Sequence, residues 1–169
     1  MEDTVREDFL QILKAMDTPK DRQASLAQEM AEKLGITALL DRHPMDLSGG
    51  EQQKCALGKL LLTEPRLLLM DEPTKGLDAD FKGRLAELLA QLRAEGKTIV
   101  LVTHDVEFAA AVADRCALFF DGEIISDGTP NAFFSGNHFY TTAASRIARG
   151  LFPNAVRCDE VIALCSREA

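Results

Sequence analysis

Residues 67–74, LLLMDEPT, place four apolar side chains directly before two adjacent carboxylates, Asp71 and Glu72. An apolar run of this length, bounded by Pro65 and by the Asp-Glu-Pro sequence, predicts a buried β-strand. In open α/β sheets, ligands bind beyond the carboxyl ends of the strands. Because neighbouring residues on a strand point to opposite sides, the two acids need not share one task. Two solvated acids are the simpler interpretation, but unpartnered carboxylates beside a buried strand destabilise it.

After this first predicted strand, further strand and helix patterns alternate along the chain. A run rich in β-branched residues follows at 98–102, and Asp121-Gly122 predicts a hairpin turn at the edge of the sheet. Continuous apolar strands that alternate with helices predict a parallel sheet buried on both faces. The predicted strands are 67–70, 98–102, 117–120 and 123–125, and the predicted helices between them are 79–95 and 105–114.

Both ends of the chain are predicted to be helical. Residues 3–16 and a second segment ending at Gly35 have apolar residues at helical spacing. Closing helices are expected near 130–135, 139–149 and 159–165.

Residues 47–54, LSGGEQQK, place a serine and two glycines directly before a helical pattern. Glycines permit close approach of a ligand to the backbone, and the amides and dipole of a helix amino end favour an anion. The Ser48 hydroxyl can donate a hydrogen bond to a phosphate oxygen. A serine N-cap followed three residues later by a glutamate is an equally good interpretation, so both stay open here.

Residues 98–105, TIVLVTHD, put His104 at the end of the next predicted strand. There it could reach the same edge of the sheet as the carboxylates and donate a hydrogen bond to a phosphate. A lone histidine at a strand end is more often a surface residue or a helix cap. The order of the motifs along the chain favours the first interpretation.

Together these motifs resemble those of the ATP-binding cassette (ABC) ATPase family. LSGGEQQK is similar to its signature motif, LLLMDEPT to Walker B, residues 75–78 to its D-loop, and the Thr-His-Asp around His104 to its switch histidine. The resemblance covers about residues 3–165, and the ordered set is far more specific than any single motif. It implies an α/β fold, with a partial P-loop NTPase (RecA-like) core and a mainly parallel sheet, preceded by the ABC helical subdomain. The expected parts are the helical subdomain over 1–62, the ATPase core over 63–128 and closing helices over 129–169.

The resemblance also implies roles for individual residues. Asp71 would help to hold Mg²⁺ through water, and Glu72 would position or deprotonate the attacking water. His104 would contact the γ-phosphate of ATP, and Asp78 would communicate across a dimer of cassettes. In the family, each ATP lies between two subunits. The residues implied to contact ATP held by the opposing subunit are Ser48, Gly49, Gly50 and Glu51.

The sequence contains no GxxxxGK[ST] phosphate-binding loop, known as Walker A. The nearest fragment, Gly58-Lys59-Leu60, lies in the helix after the signature motif and is interpreted as surface. The glutamine loop and adenine-stacking aromatic of the family also have no counterpart here. We therefore expect a fragment that begins after the glutamine loop, binds ATP very weakly and does not turn it over alone. Its sheet is expected to lack strands and to leave an exposed apolar face.

Composition limits the class of protein further. Lys and Arg total 19 against 27 Asp and Glu, and the formal charge of -8 argues against non-specific nucleic-acid binding. No apolar run reaches the roughly 20 residues of a membrane span, and the acidic amino end lacks a signal-peptide pattern. We expect a cytoplasmic protein that is peripheral on the inner face of the cell membrane when assembled with a transmembrane subunit. The four cysteines lack metal-ligand spacing and are expected to be unmodified thiols.

Residues 133–143, FFSGNHFYTTA, resemble the end of the second cassette of fused ATPases in energy-coupling factor (ECF) importers, which take up vitamins or transition-metal ions. This resemblance implies import of a small solute, with the early helix that carries Val5 and Phe9 near the contact with coupling helices of a transmembrane subunit. Two other functions stay open. One is a non-catalytic interaction module that donates its signature motif in trans. The other is a non-transport ABC protein acting on nucleic acid or ribosomes, against which the acidic charge and the lack of a coiled coil argue.

Overall fold

The computed structural model describes residues 2–136 and 140–168 and has an α/β fold. It divides into two compact units, unit 1 (Met1–Leu85 and Gln91–Leu101) and unit 2 (Ala86–Ala90 and Val102–Ala169). The predicted three-part division of the chain stays a prediction. In chain order the elements are α1 Val5–Ala15, α2 Lys20–Lys33, short 3₁₀ turns at Thr37–Leu39 and Pro44–Asp46, α3 Gly49–Leu62, β1 Leu67–Asp71, α4 Ala79–Ala94, β2 Thr98–Val102, α5 Val106–Val112, β3 Cys116–Phe120, β4 Glu123–Gly128, α6 Pro130–Gly136, α7 Ala143–Ala148 and α8 Cys158–Glu168.

Capping residues mark the start of α1 and the end of α2. The Thr4 hydroxyl accepts a hydrogen bond from the Glu7 amide at 3.2 Å, and the Glu7 carboxylate accepts one from the Thr4 amide at 3.0 Å. This reciprocal pair is a capping box and starts α1. Gly35 follows α2 with a φ of 65°, in the left-handed region that glycine adopts without strain. The two amino-terminal helices predicted from the sequence are therefore confirmed.

Helices α1 and α3 pack closely because α3 carries a glycine at the contact. Phe9 has no exposed surface. A Cβ atom placed on Gly58 would lie 2.5 Å from Phe9 Cζ and 3.0 Å from Leu34 Cδ1. The interpretation of Gly58-Lys59-Leu60 as surface is wrong for Gly58, which is buried in this contact, while Leu60 is exposed.

The burial of one face of α1 limits which of its residues a transmembrane subunit could contact. Val5 and Phe9 are 1% and 0% exposed, so they belong to the core of unit 1. A partner that approaches α1 can touch only its other face, which carries exposed residues such as Gln11 and Lys14.

An ion pair between a buried aspartate and a partly exposed lysine joins the same two helices. Asp8 lies on the inner face of α1, and its Oδ2 accepts a hydrogen bond from Lys59 Nζ of α3 at 2.9 Å. Its Oδ1 accepts the Glu2 amide at 3.1 Å. Burial by itself would raise the pKa of Asp8, but the two hydrogen bonds and the charge of Lys59 bring it below its ordinary value. Ionised Asp8 therefore stabilises the contact between α1 and α3.

Asp8→Asn is expected to reduce the pH dependence of stability. Because the pKa of Asp8 is lower in the folded state than in the unfolded chain, its stabilising contribution is present above the unfolded-state pKa. It is lost as the pH falls through the folded-state pKa. Urea titrations between about pH 7 and about pH 3 measure the free energy of unfolding across this window. The difference between wild type and Asp8→Asn should shrink as the pH falls.

The control for this prediction is Asp41→Asn, which removes an exposed partner of Arg6 elsewhere in unit 1. A difference between Asp8→Asn and wild type that stayed constant with pH would contradict the argument.

Strands β1 and β2 form a two-stranded sheet. The Thr98 amide, at the start of β2, donates to the Arg66 carbonyl just before β1 at 2.9 Å, so both strands start at the same end and run parallel. Leu68 of β1 is 1% exposed, whereas Leu67 and Leu69 are 51% and 68% exposed. The prediction of a sheet buried on both faces is wrong, and the expected exposed apolar face is present.

Unit 2 contains the predicted hairpin. Strands β3 and β4 pair antiparallel, with a register irregularity between Leu118 and Phe119. Asp121 and Gly122 turn the chain with φ values of 48° and 86°, as a two-residue hairpin loop requires. The hairpin is confirmed, but its expected position at the edge of the parallel sheet is wrong, because β3 and β4 form a two-stranded sheet of their own.

Helices α5 and α6 cover the hairpin and complete the core of unit 2. The buried residues of this core are Ala110, Cys116, Phe133, Phe134 and Val156. Two threonines before α7 hydrogen-bond to this core. Thr141 Oγ1 donates to the Phe134 carbonyl at 2.8 Å, and Thr142 Oγ1 donates to the Val156 carbonyl at 2.5 Å. Asn137, His138 and Phe139, part of the segment that resembles ECF ATPases, lie outside the described residues.

The four cysteines carry no disulfide; Cys55 and Cys116 are buried, and Cys158 and Cys165 are exposed. Burial raises the pKa of the Cys55 thiol to about 11, which keeps it neutral at neutral pH. Across residues 2–136 and 140–168, no helix has both the length and the apolar composition to cross a membrane.

Candidate functional site

The amino end of α3 is a capped and exposed helix terminus. The Ser48 hydroxyl accepts a hydrogen bond from the Glu51 amide at 3.4 Å and donates one to Glu51 Oε2 at 2.7 Å. The Ser48 amide donates to the same carboxylate oxygen at 2.8 Å. The hydrogen bonds from Ser48 hold the pKa of Glu51 below its ordinary value. The capping interpretation of this sequence is therefore confirmed.

The cap leaves the helix terminus open to a ligand. Ser48 and Gly49 are exposed, and a Cβ atom placed on Gly49 would meet nothing within 4 Å. Backbone amides at such a terminus point outward and favour an anion. Capping and anion binding can both use this terminus, and the predicted role of these residues toward phosphate stays a prediction.

The two adjacent acids lie at the carboxyl end of β1. Asp71 is the last residue of the strand and is exposed, whereas Glu72 is half-buried. Glu72 has a φ of 47°, in the left-handed region that non-glycine residues rarely adopt. Its carbonyl accepts the Lys75 amide at 3.1 Å, which closes a turn. Asp17, Glu64 and Asp121 adopt the same region, so this conformation does not by itself identify a functional site.

Residues near the amino end of α3 contact the turn formed by residues 72–78. Gln53 Nε2 donates to the Pro73 carbonyl at 3.0 Å and to the Glu72 carbonyl at 3.3 Å. A Cβ atom placed on Gly50 would lie 3.0 Å from the Gly76 carbonyl oxygen. The structure therefore brings together the amino end of α3 and the turn that carries the acids.

Asp78 caps the helix that follows the turn. Its Oδ1 accepts the Phe81 amide at 2.8 Å, and its Oδ2 lies 3.5 Å from Lys54 Nζ of α3. The Phe81 amide, with the charge of Lys54, holds the pKa of Asp78 below its ordinary value. Lys54 Nζ also lies 4.3 Å from the centroid of the Phe81 ring, a cation–π contact. Asp78 thus joins α4 to α3 within the chain.

His104 belongs to unit 2, where it follows β2 and is exposed. The helix cap beside it is made by its neighbour, since Asp105 Oδ1 accepts the Phe108 amide at 3.0 Å and starts α5. Of the predicted site residues, those from Ser48 to Asp78 are gathered in unit 1. Among the residues that the structure describes, no group of three or more His, Cys, Asp or Glu side chains is arranged to hold a metal ion.

Sequence patterns alone do not single out Gln53 and Lys54, which connect the amino end of α3 to the turn after β1. Both belong to the quoted motif, but their spacing marks them only as polar residues on a helix. Their importance depends on which side of α3 faces the turn, and this is decided by the burial of Cys55, Leu57 and Gly58.

Comparisons with known proteins identify similar sequences. The sequence model of the family described as ABC transporter matches residues 1–75. A putative ABC transporter ATP-binding protein of Bacillus cereus is 48% identical over 143 residues, which are 85% of this chain and 26% of that protein. The glutamate transport ATP-binding protein GluA of Corynebacterium glutamicum is 37% identical over 123 residues, 73% of this chain and 51% of that protein.

Solved structures agree with the sequence matches. An ATP-binding cassette of an ABC transporter superposes with a TM-score of 0.63 at 27% identity, covering 76% of this chain and 56% of the cassette. A second cassette, solved as a dimer in a post-hydrolysis state with ADP and Pi, superposes with a TM-score of 0.66 at 26% identity, covering 75% of this chain and 56% of the cassette. The chain thus spans about half of each solved cassette and a quarter of the Bacillus relative.

Proposed function

We propose, from its similarity to ABC transporter ATP-binding proteins, that this chain is part of an ATPase subunit that powers the transport of a small solute across a membrane. The observation that carries the proposal is the position of the exposed amino end of α3 beside the acid-bearing turn, joined to it by Gln53. In the proposed dimer these two features would face different ATP molecules, and each suits phosphoryl transfer, where catalysis is mostly positioning and electrostatic stabilisation.

Each part of the site then has a role. Ser48, Gly49 and Gly50 would contact the γ-phosphate of ATP held by an opposing cassette, with Glu51 at the rim of that contact. Glu72 would orient or deprotonate the attacking water, as a carboxylate fixed by a rigid turn can do. His104 would donate a hydrogen bond to the γ-phosphate, and Asp78 would pass changes at the turn to the partner cassette.

Asp71 is the residue that suits Mg²⁺. Mg²⁺ prefers oxygen donors, keeps several waters and is usually held by one or two carboxylates together with substrate phosphates. An exposed carboxylate at a strand end, without two further ligands nearby in the described residues, fits that mode. Asp71 would hold the ion through water, and the ion would offset the negative charge of the phosphates.

The partners follow from the composite site. The sequence has no phosphate-binding loop, so a second ABC cassette, in a homo- or heterodimer, would supply the loop that holds ATP. The chain alone would be inactive. A transmembrane subunit would engage the assembly through coupling helices, which would place the chain on the inner face of the cell membrane. The acidic charge argues against a nucleic-acid partner.

The nature of the solute is suggested by two different resemblances. Four relatives, at 36–38% identity, are named for transport of amino acids: two for glutamate, one for arginine and one for glutamine. Residues 133–143 resemble ECF importers of vitamins or transition-metal ions instead. We favour import of a small polar solute, with amino acids as the first class to test.

The experiment measures Mg-ATP binding and hydrolysis by the chain alone and with a cassette that carries a phosphate-binding loop but has its own signature serine replaced by arginine. We expect no turnover by either component alone and turnover in the mixture, because each supplies what the other lacks. Robust turnover by the chain alone would contradict the composite site. Failure of the mixture at saturating concentrations of both components would exclude the chain as a donor of the signature motif.

Glu51→Gln is expected to raise the turnover of that mixture a few-fold. The carboxylate of Glu51 accepts both Ser48 hydrogen bonds, and its charge would repel a phosphate at the same helix end. Glutamine keeps an acceptor for the capping box but removes the charge. Because exposed charges are screened by salt, the gain should be larger at low than at high ionic strength. Turnover that falls at both salt concentrations would show that the charge is useful.

A further inference from the structure

We infer that Gln53 and Lys54 are positioning residues that hold the amino end of α3 and the turn at 72–78 together as one rigid element. The inference rests on the proposed function for its catalytic consequence, although the element itself is a property of unit 1. Neither residue would touch ATP, and both would act through Ser48–Gly50 and Glu72.

Gln53 fixes the strained part of the turn. The Glu72 carbonyl already accepts the Lys75 amide, and Gln53 Nε2 approaches it from the side of α3 while also bonding the Pro73 carbonyl. A half-buried side-chain amide shared between two consecutive carbonyls restricts the rotation of the peptide between them. Gln53 lies one helical turn after Gly49, so it carries this restraint directly to the exposed helix terminus.

Lys54 fixes the far end of the turn. Its ammonium group lies between the Asp78 carboxylate at 3.5 Å and the Phe81 ring at 4.3 Å, and its side chain is only 19% exposed. Between these two points, a Cβ atom placed on Gly50 would lie 3.0 Å from the Gly76 carbonyl oxygen, so the backbones of α3 and the turn approach each other closely there. Three contacts spread along one turn prevent it from tilting against α3, which a single contact would allow.

The consequence is a fixed position of the α3 terminus. In the proposed dimer, Ser48–Gly50 would contact ATP on the loop of the opposing cassette, and Gln53 and Lys54 would hold this terminus against the turn at 72–78. Loss of both contacts would let the terminus shift and would misplace its amides relative to the phosphate.

The test compares wild type with Gln53→Leu, Lys54→Met, the double variant and the conservative Lys54→Arg. In the mixture with the loop-bearing cassette, the double variant should lower maximal turnover at saturating chain about tenfold, because misplacement of a contacting group has effects of this size or larger. The KM for ATP should change less than about twofold, since ATP stays on the loop of the other cassette. Lys54→Arg should retain turnover because arginine keeps both the ion pair and the cation–π contact.

A second readout needs no nucleotide. Amide hydrogen exchange across residues 72–78 should be faster in the double variant, with global stability in urea as the reference. Gln28→Leu, which removes a side-chain amide that bonds Glu32 on α2, is the matched control and should change neither readout.

The outcomes separate the inference from the proposed function. Unchanged exchange at 72–78 together with unchanged maximal turnover would overturn the inference. If the wild-type mixture shows no turnover, the proposed function fails and exchange alone decides whether the rigid element exists. A loss of turnover that Lys54→Arg shares in full would show that the two contacts of Lys54 are not what matters, and would overturn its assigned role.

Discussion

Ser48→Arg is expected to abolish ATP hydrolysis in the mixture of this chain with a partner cassette that carries the phosphate-binding loop. The expected loss is at least about a hundredfold. The arginine side chain would extend from the helix terminus into the space that a phosphate needs in order to reach the amides of α3. The variant also loses the serine oxygen that accepts the Glu51 amide. Steady-state ATP hydrolysis with saturating chain measures the effect.

The loss must be separated from a loss of folding. Removing a serine N-cap costs about 1 kcal/mol of stability, which is a small part of the 5–15 kcal/mol typical of a folded domain. Ser48→Thr keeps a capping hydroxyl and should retain most of the turnover. Ser25→Arg places the same side chain at an exposed position of α2 and should leave turnover unchanged. If Ser48→Arg kept more than about a third of the wild-type rate, the exposed end of α3 would not be the ATP contact.

Features that depend on neighbouring residues along the chain were predicted well. The helix expected over 79–95 is Ala79–Ala94, the strand expected over 98–102 is Thr98–Val102, and Asp121-Gly122 turns a hairpin. Each is specified locally, by an aspartate cap, by a run of β-branched residues, or by a pair of residues that tolerate positive φ.

Features that depend on packing between distant segments were predicted less well. Leu67 and Leu69 are apolar in sequence whether or not anything covers them, so the apolar pattern predicted a sheet buried on both faces, and only the lack of a phosphate-binding loop indicated the exposed face. Asp8 looks like one more acid on a charged helix, yet it is 6% exposed and paired with a residue 51 positions away. The hydrogen bonds from Gln53 to the Glu72 and Pro73 carbonyls could not be predicted either, because they form only when α3 packs against the end of β1.

The order of motifs carried more information about the site than any single residue did. Ser48–Gly50, Asp71–Glu72 and Asp78 were grouped from their order along the chain, and the structure places all of them in unit 1. Their order could not supply the geometry between them. One side of α3 packs against Phe9 and Leu34. The other side, which carries Gln53 and Lys54, therefore faces residues 72–78.

The same packing gives the largest expected effect on stability, which is that of Phe9→Ala. Replacement of a fully buried phenylalanine by alanine costs about 3–5 kcal/mol, because apolar contacts are lost and a cavity remains. The Phe9 ring lies against Gly58 of α3, beside Leu34 at the end of α2, so we expect neighbouring side chains to fill little of the cavity. The urea midpoint of unfolding, with an unchanged slope, measures the loss. Met16→Ala, at the end of the same helix and 50% exposed, is the control and should cost little.

Gly58→Ala tests the same contact from the other side. An alanine in the middle of a helix normally stabilises it by about 0.5–1 kcal/mol relative to glycine. Here its Cβ would lie 2.5 Å from Phe9 Cζ, so we expect a net loss of about 1–3 kcal/mol from overpacking. Combining Gly58→Ala with Phe9→Leu, which removes the colliding ring edge, should recover part of that loss, and the double-mutant cycle measures the coupling. Purely additive effects would mean that α1 and α3 do not meet at this glycine, and the orientation of α3 on which Gln53 and Lys54 depend would then be wrong.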